Sequence, residues 1–81
     1  METVSTPFDG DESLRALGSA IRSIRKEQGI SQEELSHICG IDRSHMGRIE
    51  RGERNVAILN ILKIARAMSC PPSEILRRAG L

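Results

Sequence analysis

A short polar helix near the middle of the chain carries the residues best suited to binding another molecule. Over residues 43–51, the apolar side chains Met46 and Ile49 occupy one face, and basic or small residues occupy the other. The outward residues are Arg43, Ser44, Gly47, Arg48 and Arg51. An arginine can donate two hydrogen bonds to the O6 and N7 atoms of guanine, and a short helix fits the major groove of DNA. The pattern therefore favours contact with double-stranded DNA.

A second helix and a tight turn position this polar face. Ser31, with Glu34 three residues later, forms a capping box that predicts a helix over residues 32–39. Gly40 then provides the turn into the polar helix, and Gly52 closes that helix. Apolar residues fall where two crossing helices would pack, at Leu35, Ile38, Cys39, Ile41, Met46 and Ile49.

Three further helices complete the predicted fold. Apolar residues at spacings of three and four predict a first helix over 11–28, and these are Leu14, Leu17, Ile21 and Ile24. A fourth helix opens at Asn55 or Val56 and runs to about residue 69. Its predicted inner face consists of Ile58, Ile61, Leu62, Ala65 and Met68. Pro72 suits the first turn of a fifth helix, over 72–79. These elements give an all-α fold, a compact five-helix domain.

The composition limits the chain to one small domain with an aliphatic core. Its 81 residues include no Trp or Tyr and one Phe, which argues against readers of single-stranded nucleic acid. The formal charge of +1 hides an asymmetry. Residues 1–13 hold four acidic side chains and no basic one, whereas residues 14–81 hold 12 basic and seven acidic side chains. We therefore predict a flexible acidic tail over 1–10 and a folded basic domain over 11–81.

Several other classes of function are disfavoured. His37 and His45 have no nucleophilic partner, no Cys/His spacing suits zinc, and no glycine-rich phosphate loop is present. We therefore expect no enzyme activity, metal, cofactor or small-molecule ligand. Cys39 and Cys70 lie in apolar patterns and are interpreted as buried free thiols, with a redox switch as the alternative. The chain lacks an apolar stretch of membrane-spanning length and a basic signal-peptide start, so we expect a cytoplasmic, nucleoid-associated protein.

The stretch from Ser31 to Asn55 resembles the helix-turn-helix of the lambda repressor/Cro-like (XRE-type) family. The shared features are Gln32 after a capping serine, then Glu-Glu-Leu, a glycine in the turn, a polar helix, and Ile-Glu-Arg-Gly at its end. The likeness covers residues 14–78 and implies a DNA-binding five-helix domain. So short a chain is most similar to the controller proteins of restriction–modification systems. The segment GERNVAILNILKIARAM shares their character, although Cro-like repressors and antitoxins have it too.

The resemblance also implies a set of DNA contacts. In this family, the first two residues of the recognition helix and those one turn later face the base edges. The matching residues are Arg43, Ser44, Gly47 and Arg48. Gln32 contacts a phosphate in the family, and its backbone N–H belongs to a helix N-terminus, which favours an anion. We expect further phosphate contacts at Arg51, Arg54 and Asn55, and weaker ones at Arg22 and Lys26.

Two acidic features receive separate interpretations. Many family members pair the glutamate at the end of the recognition helix with an arginine of the first helix. The matching residues are Glu50 and Arg25, which we expect to form a structural ion pair. Glu33 and Glu34 form an acidic edge on the second helix. One interpretation is that they serve the cap and the helix dipole, and the other is contact with RNA polymerase, as in some relatives.

Relatives bind near-palindromic operators as two-fold dimers, because one recognition helix reads only a few base pairs. We expect no separate dimerisation domain in 81 residues and place the homodimer interface at Leu59, Pro72 and Leu76. The alternative is that these residues cap the core from outside. The leading hypothesis is a homodimeric, sequence-specific transcriptional regulator, either activator or repressor. The competing hypothesis is an antitoxin or anti-activator that works through protein–protein contacts.

Overall fold

Five helices make up residues 8–81, the part of the chain that the computed structural model describes. They are α1 (Gly10–Glu27), α2 (Gln32–Cys39), α3 (Arg43–Glu50), α4 (Ile58–Ala67) and α5 (Pro72–Arg78). No strand occurs within this range, and the predicted all-α class is confirmed. Three helices end one residue before the predicted end, because the residue predicted to be last is the C-cap in each case. These C-caps are Gln28, Arg51 and Ala79.

α1 begins at Gly10, one residue earlier than predicted. The Asp9 carboxylate accepts a hydrogen bond from the backbone N–H of Glu12 at 3.0 Å, and this side-chain cap starts the helix. The predicted tail over 1–10 therefore extends too far, because Asp9 caps α1 and Gly10 is its first residue. The rest of that tail, residues 1–7, lies outside the described residues.

The start of α4 was also predicted incorrectly. The helix opens at Ile58 rather than at Asn55 or Val56. Its N-cap is Ala57, which has extended backbone angles and no side chain able to accept a hydrogen bond from the first turn. Residues 55–57 have no helical structure, so the helix begins two or three residues later than predicted.

The buried face of α4 is rotated from the predicted one. Ile61, Ala65 and the C-cap Met68 are buried as expected, but Ile64, which was not predicted, is fully buried. Ile58 and Leu62 were predicted to face inward and are 66% and 43% exposed. Because apolar residues occur on nearly every side of α4, their spacing alone cannot select the buried face; packing against neighbouring helices does so.

The core is aliphatic and draws on all five helices. Its buried residues are Ala20, Ile21, Ile24, Leu35, Cys39, Ile41, Met46, Ile49, Ile61, Ile64, Ala65, Met68 and Ile75. Two predictions for this core were wrong. Ile38 is 58% exposed, because α2 turns Leu35, Ser36 and Cys39 inward instead. Ser36 tolerates burial because its hydroxyl donates to the Gln32 carbonyl oxygen at 2.8 Å. Cys70 is half-buried, not buried.

Contacts between helices connect all five elements of the domain. α1 packs against α3 on one side and α5 on the other, while α2 packs against α3 and α4. Arg78 of α5 forms ion pairs with Glu27 at the end of α1 and with Glu74 of its own helix. Between residues 8 and 81, no helix is long and apolar enough to cross a membrane.

Candidate nucleic-acid interface

Local hydrogen bonds shape the turn between α2 and α3. Ser31 Oγ accepts from the Glu34 N–H at 3.0 Å, and the Glu34 carboxylate accepts from the Ser31 N–H at 3.2 Å, which completes the capping box. Gly40 ends α2 with a φ of 70°, in the left-handed region that glycine adopts without strain. Asp42 then caps α3, because its carboxylate accepts from the Ser44 N–H at 3.2 Å. Ser31 thus sets the start of α2, Gly40 its end, and Asp42 the start of α3.

A buried ion pair joins α1 to the end of α3. Arg25 Nε and Nη2 donate to the two carboxylate oxygens of Glu50 at 2.8 and 3.0 Å. Arg25 Nη1 also donates to the Ile30 carbonyl oxygen at 2.9 Å, and Gln32 Nε2 donates to Glu50 Oε1 at 3.1 Å. Both charged side chains are buried, and every buried side-chain nitrogen or oxygen within residues 8–81 has a hydrogen-bond partner. The carboxylate of Glu50 is thus neutralised inside the protein instead of facing phosphate.

Gly18 allows α1 and α3 to approach this closely. A Cβ atom at position 18 would lie 2.4 Å from the carbonyl oxygens of both Ile49 and Glu50. Contacts that short do not occur with backbone atoms, so any side chain at this position would push the two helices apart. Sequence reasoning missed this residue, although a glycine in the middle of a helix costs about 1 kcal/mol relative to alanine and thereby signals a packing role.

The outward face of α3 presents three of the four residues predicted to read bases. Arg43, Ser44 and Arg48 are exposed, while Met46 and Ile49 on the opposite face are buried in the core. The apolar residues therefore fix the rotation of α3 and leave the polar side chains outward. Two guanidinium groups and a hydroxyl are then available on one short helix for hydrogen bonds to base edges.

Gly47, the fourth predicted base-reading residue, does not lie on the exposed face. It is buried, because the side chains of Arg51 and Gln32 cover it. A Cβ atom at position 47 would lie 3.1 Å from Arg51 Nη1 and 3.6 Å from Gln32 Oε1. The glycine thus provides space for these two side chains rather than for a base in the free protein. The contact of Gly47 with a base stays a prediction, and in the free protein the atom that approaches this position most closely is Arg51 Nη1.

Ser44 is held by its own capping residue. Its hydroxyl donates a hydrogen bond to the same Asp42 carboxylate oxygen that accepts from its backbone N–H. Both bonds lower the pKa of Asp42 below its ordinary value, and the bond from the Ser44 hydroxyl has the larger effect. With its proton directed at Asp42, the Ser44 hydroxyl presents its lone pairs outward and can accept a hydrogen bond.

The residues predicted to contact phosphates surround α3 on two sides. Arg22 and Lys26 are exposed on α1, and Arg54 and Asn55 are exposed in the segment after α3. None of the three cations among them forms an ion pair with another residue in 8–81. Arg51 differs, because it pairs with Glu53. Arg22, Arg51, Gln32 and the buried Glu50 together line a polar depression beside α3.

Comparisons with known proteins identify the family. The helix-turn-helix family model HTH_3 matches residues 21–75, which include all of α2 and α3. The chain is a helix-turn-helix protein of the lambda repressor/Cro-like (XRE-type) family. The family is one of DNA-binding transcriptional regulators, so this regulator binds double-stranded DNA.

Several relatives of the regulator are controller proteins. It is 37% identical to control protein C.SmaI of Serratia marcescens over 65 residues, which cover 80% of this chain and 77% of that protein. It is 40% identical to control protein C.BamHI of Bacillus amyloliquefaciens over 60 residues, which cover 73% and 74% of the two chains. The crystal structure of the restriction–modification controller protein C.AhdI from Aeromonas hydrophila matches with a TM-score of 0.75 and 45% identity, covering 76% of this chain and 94% of that one. The predicted likeness to controller proteins is confirmed.

The residues predicted to form a dimer interface lie on the surface of the regulator. Leu59 is 66% exposed, Leu76 is 38% exposed, and Pro72 is half-buried. On α4, the exposed Ile58 and Leu62 extend the apolar surface around Leu59. Sequence reasoning had assigned these two residues to the core, so the exposed apolar area of α4 is larger than predicted.

The two glutamates of the predicted acidic edge on α2 differ in their contacts. The Glu34 carboxylate takes part in the capping box, whereas Glu33 is exposed and has no ion-pair partner in the described part of the chain.

The thiol of Cys39 donates to the Lys63 carbonyl oxygen at 3.8 Å, and burial raises the pKa of this thiol, which keeps it in the unreactive protonated form. Across residues 8–81, no three His, Cys, Asp or Glu side chains come close enough together to hold a metal ion.

Proposed function

We propose that the protein is a sequence-specific regulator that inserts α3 into the major groove and reads bases with Arg43, Ser44 and Arg48. The observation that carries this proposal is the division of α3 into two faces. Met46 and Ile49 anchor its inner face, while the outer face keeps two exposed arginines with no ion-pair partner in the described residues. The arginine side chains favour guanines in each half-site.

Contacts with the DNA backbone set the affinity and the orientation of α3. Arg22 and Lys26 on α1 would bind phosphates on one side of the groove, and Arg54 and Asn55 would bind them on the other. Gln32 adds the N-terminus of α2, and Arg51 adds a further guanidinium group beside it. Such contacts are independent of sequence and make binding weaken as salt concentration rises.

The regulator acts as a homodimer in this proposal. The exposed apolar residues Leu59, Leu76, Ile58 and Leu62, with Pro72, would be buried against the same residues of a second copy. A two-fold dimer presents two copies of α3, which fits a near-palindromic operator whose half-sites lie about one helical turn apart. The dimer also supplies specificity that one short helix lacks.

The likeness to C.SmaI, C.BamHI and C.AhdI supports a controller role in a restriction–modification system. In that role, the dimer binds operators next to the genes of such a system, at the nucleoid of the cytoplasm, and changes their transcription. Glu33 is the exposed carboxylate of α2 that remains available for a contact with RNA polymerase.

Selection of binding sites from a random duplex pool at near-physiological salt tests this function. We expect an enriched palindrome with half-sites about one helical turn apart. Scanning a genome with that motif should then find it beside restriction–modification genes. Enrichment of no motif, together with binding that disappears as salt rises, would refute base reading and leave only nonspecific attraction to DNA.

A further inference from the structure

Arg51, at the end of the recognition helix, is already bound to a carboxylate. Its Nε and Nη2 atoms donate to the two oxygens of Glu53 at 2.9 and 3.2 Å. Both side chains are more than half exposed, at 59% and 54%. The arrangement has the two parallel hydrogen bonds by which arginine also binds a phosphate group.

The backbone of Glu53 is held next to the end of α3. Gly52 has a φ of 73°, and a Cβ atom there would lie 2.6 Å from the Cα of Arg15, so the turn at Gly52 is packed tightly against α1. The backbone N–H of Glu53 then donates to the Arg48 carbonyl oxygen at 2.8 Å, which ties Glu53 to the end of α3. Glu53 is therefore held at the end of the recognition helix, with its carboxylate within hydrogen-bond distance of Arg51.

Arg51 also lies on the face that is proposed to contact DNA. Its guanidinium group covers Gly47 and lines the polar depression beside Gln32 and Arg22. A phosphate that entered this depression would contact the Arg51 guanidinium group, whose Nε and Nη2 atoms already donate to Glu53. The two hydrogens given to Glu53 are not available to a phosphate, so Arg51 offers a phosphate three of its five N–H donors until Glu53 is displaced.

We propose that Glu53 competes with DNA phosphate for Arg51 and thereby lowers the affinity of the regulator for DNA. The proposal rests on the placement of Arg51 at the DNA backbone given above. When a phosphate takes Arg51, the ion pair with Glu53 is lost, and the carboxylate is left close to the phosphate charge. Because the contact is to the backbone, the attenuation acts on random and selected sequences alike. Glu53 thus limits nonspecific binding, which the exposed arginines around α3 would otherwise increase.

A double-mutant cycle on a random-sequence duplex tests this competition. Glu53→Gln removes the charge with little change in shape, and we expect binding to tighten about two- to fivefold, the scale of one exposed ion pair. The slope of log affinity against log salt should steepen by up to about 0.9, the value for one additional phosphate contact. In the background of Arg51→Gln, the Glu53→Gln change should tighten binding no more than loss of an unpaired surface carboxylate does.

Glu33→Gln is the matched control for a change of charge alone. Glu33 is exposed on α2 and has no arginine partner in residues 8–81, so its substitution should tighten binding less than Glu53→Gln. Thermal unfolding of all variants verifies that each is folded at the temperature of the binding measurement.

Three results would overturn the proposal. Weaker binding by Glu53→Gln would show that Glu53 orients Arg51 toward the phosphate instead of competing with it. A gain that persists without Arg51 would show general repulsion, and unchanged binding would show no role. Random-duplex binding does not require an operator, so this test remains valid even if site selection enriches no motif. If Arg51→Gln alone leaves both affinity and salt slope unchanged, the placement of Arg51 at the backbone fails separately.

Discussion

The backbone of Gly18 in α1 packs directly against the backbone of Glu50 in α3. A Cβ atom on Gly18 would lie 2.4 Å from the Glu50 carbonyl oxygen, while the Glu50 side chain is held by Arg25, seven residues further along α1. One residue of α3 is therefore fixed to α1 through both its main chain and its side chain. Since α3 is the proposed recognition helix, its position relative to Arg22 and Lys26, the residues of α1 proposed to bind phosphate, depends on this contact.

Gly18→Ala should destabilise the domain by about 1–3 kcal/mol, the usual cost of overpacking a core. The better helix propensity of alanine offsets that cost by no more than about 1 kcal/mol. Urea denaturation followed by circular dichroism measures the change. Ser19→Ala, at the exposed neighbouring position, is the control and should have little effect. Equal stability of Gly18→Ala and wild type would show that the helices can separate at this point without loss.

Local chemistry explains why the helix-turn-helix could be predicted closely from the sequence. The bounds of α2 agree with the prediction, because Ser31, Glu34 and Gly40 fix them through bonds within one helical turn. The same is true of the start of α3 at Asp42. The partner of Glu50 came from the family resemblance and not from local sequence, since Arg25 lies 25 residues away.

Packing between distant elements explains what the sequence could not give. The inward face of α4 depends on which of its many apolar residues meets the core, and the structure buries Ile64 and exposes Ile58. Gly47 is covered by Gln32, a residue of another helix. The Arg51–Glu53 pair is local, only two residues apart, and opposite charges flanking a glycine turn were a signal that sequence reasoning overlooked.

Glu50→Gln should strongly destabilise the fold, because it leaves the Arg25 charge buried without its counterion. Loss of one partner from a buried pair costs about 3–5 kcal/mol, a large part of the stability of so small a domain. Urea denaturation at neutral pH measures the loss. The double variant Arg25→Met/Glu50→Met removes both charges and should recover most of it. A double variant no more stable than Glu50→Gln would show that losing the hydrogen bonds to Gln32 and Ile30 costs as much as removing the unpaired charge gains.

Acid should weaken the ion pairs that Glu74 forms with Arg77 and Arg78 within α5. Hydrogen bonds from Arg77 and Arg78 lower the pKa of Glu74 from 4.5 to about 2. A carboxyl group whose pKa is depressed in the folded state stabilises that state above its unfolded pKa and ceases to do so as pH falls through the folded value. The contribution of Glu74 is therefore complete above pH 4.5 and lost toward pH 2.

The pH dependence of unfolding tests that interval. Free energies of unfolding measured between pH 5 and pH 2 should decline less steeply for Glu74→Gln than for wild type. Glu33→Gln, which removes an exposed carboxylate with no arginine partner in the described residues, is the control and should follow the wild-type profile more closely. Parallel profiles for wild type and Glu74→Gln would contradict the assignment.

Arg48→Ala should reduce sequence discrimination rather than general affinity. Loss of a bidentate contact to guanine costs about 1–3 kcal/mol on the selected site and little on random DNA. Arg54→Ala is the matched control, because Arg54 is an exposed arginine assigned to phosphate. It should weaken both complexes similarly and flatten the salt slope by about one unit. An equal loss on both duplexes for Arg48→Ala would move that residue from the base-reading set to the phosphate set.

Leu76→Asp should convert the proposed dimer to monomers. Leu76 is 38% exposed in the single chain, so a carboxylate there is solvated in the monomer, but two of them would face each other near the two-fold axis of the dimer. Sedimentation equilibrium gives the mass of each species. Ile38→Asp is the control, because Ile38 is an exposed apolar residue of α2 outside the proposed interface, and this variant should remain dimeric. A dimer that persists in Leu76→Asp but dissociates in Ile38→Asp would move the interface to α2.

Since an operator with two half-sites requires two copies of α3, monomeric Leu76→Asp should also lose most of its preference for the selected palindrome while still binding random DNA.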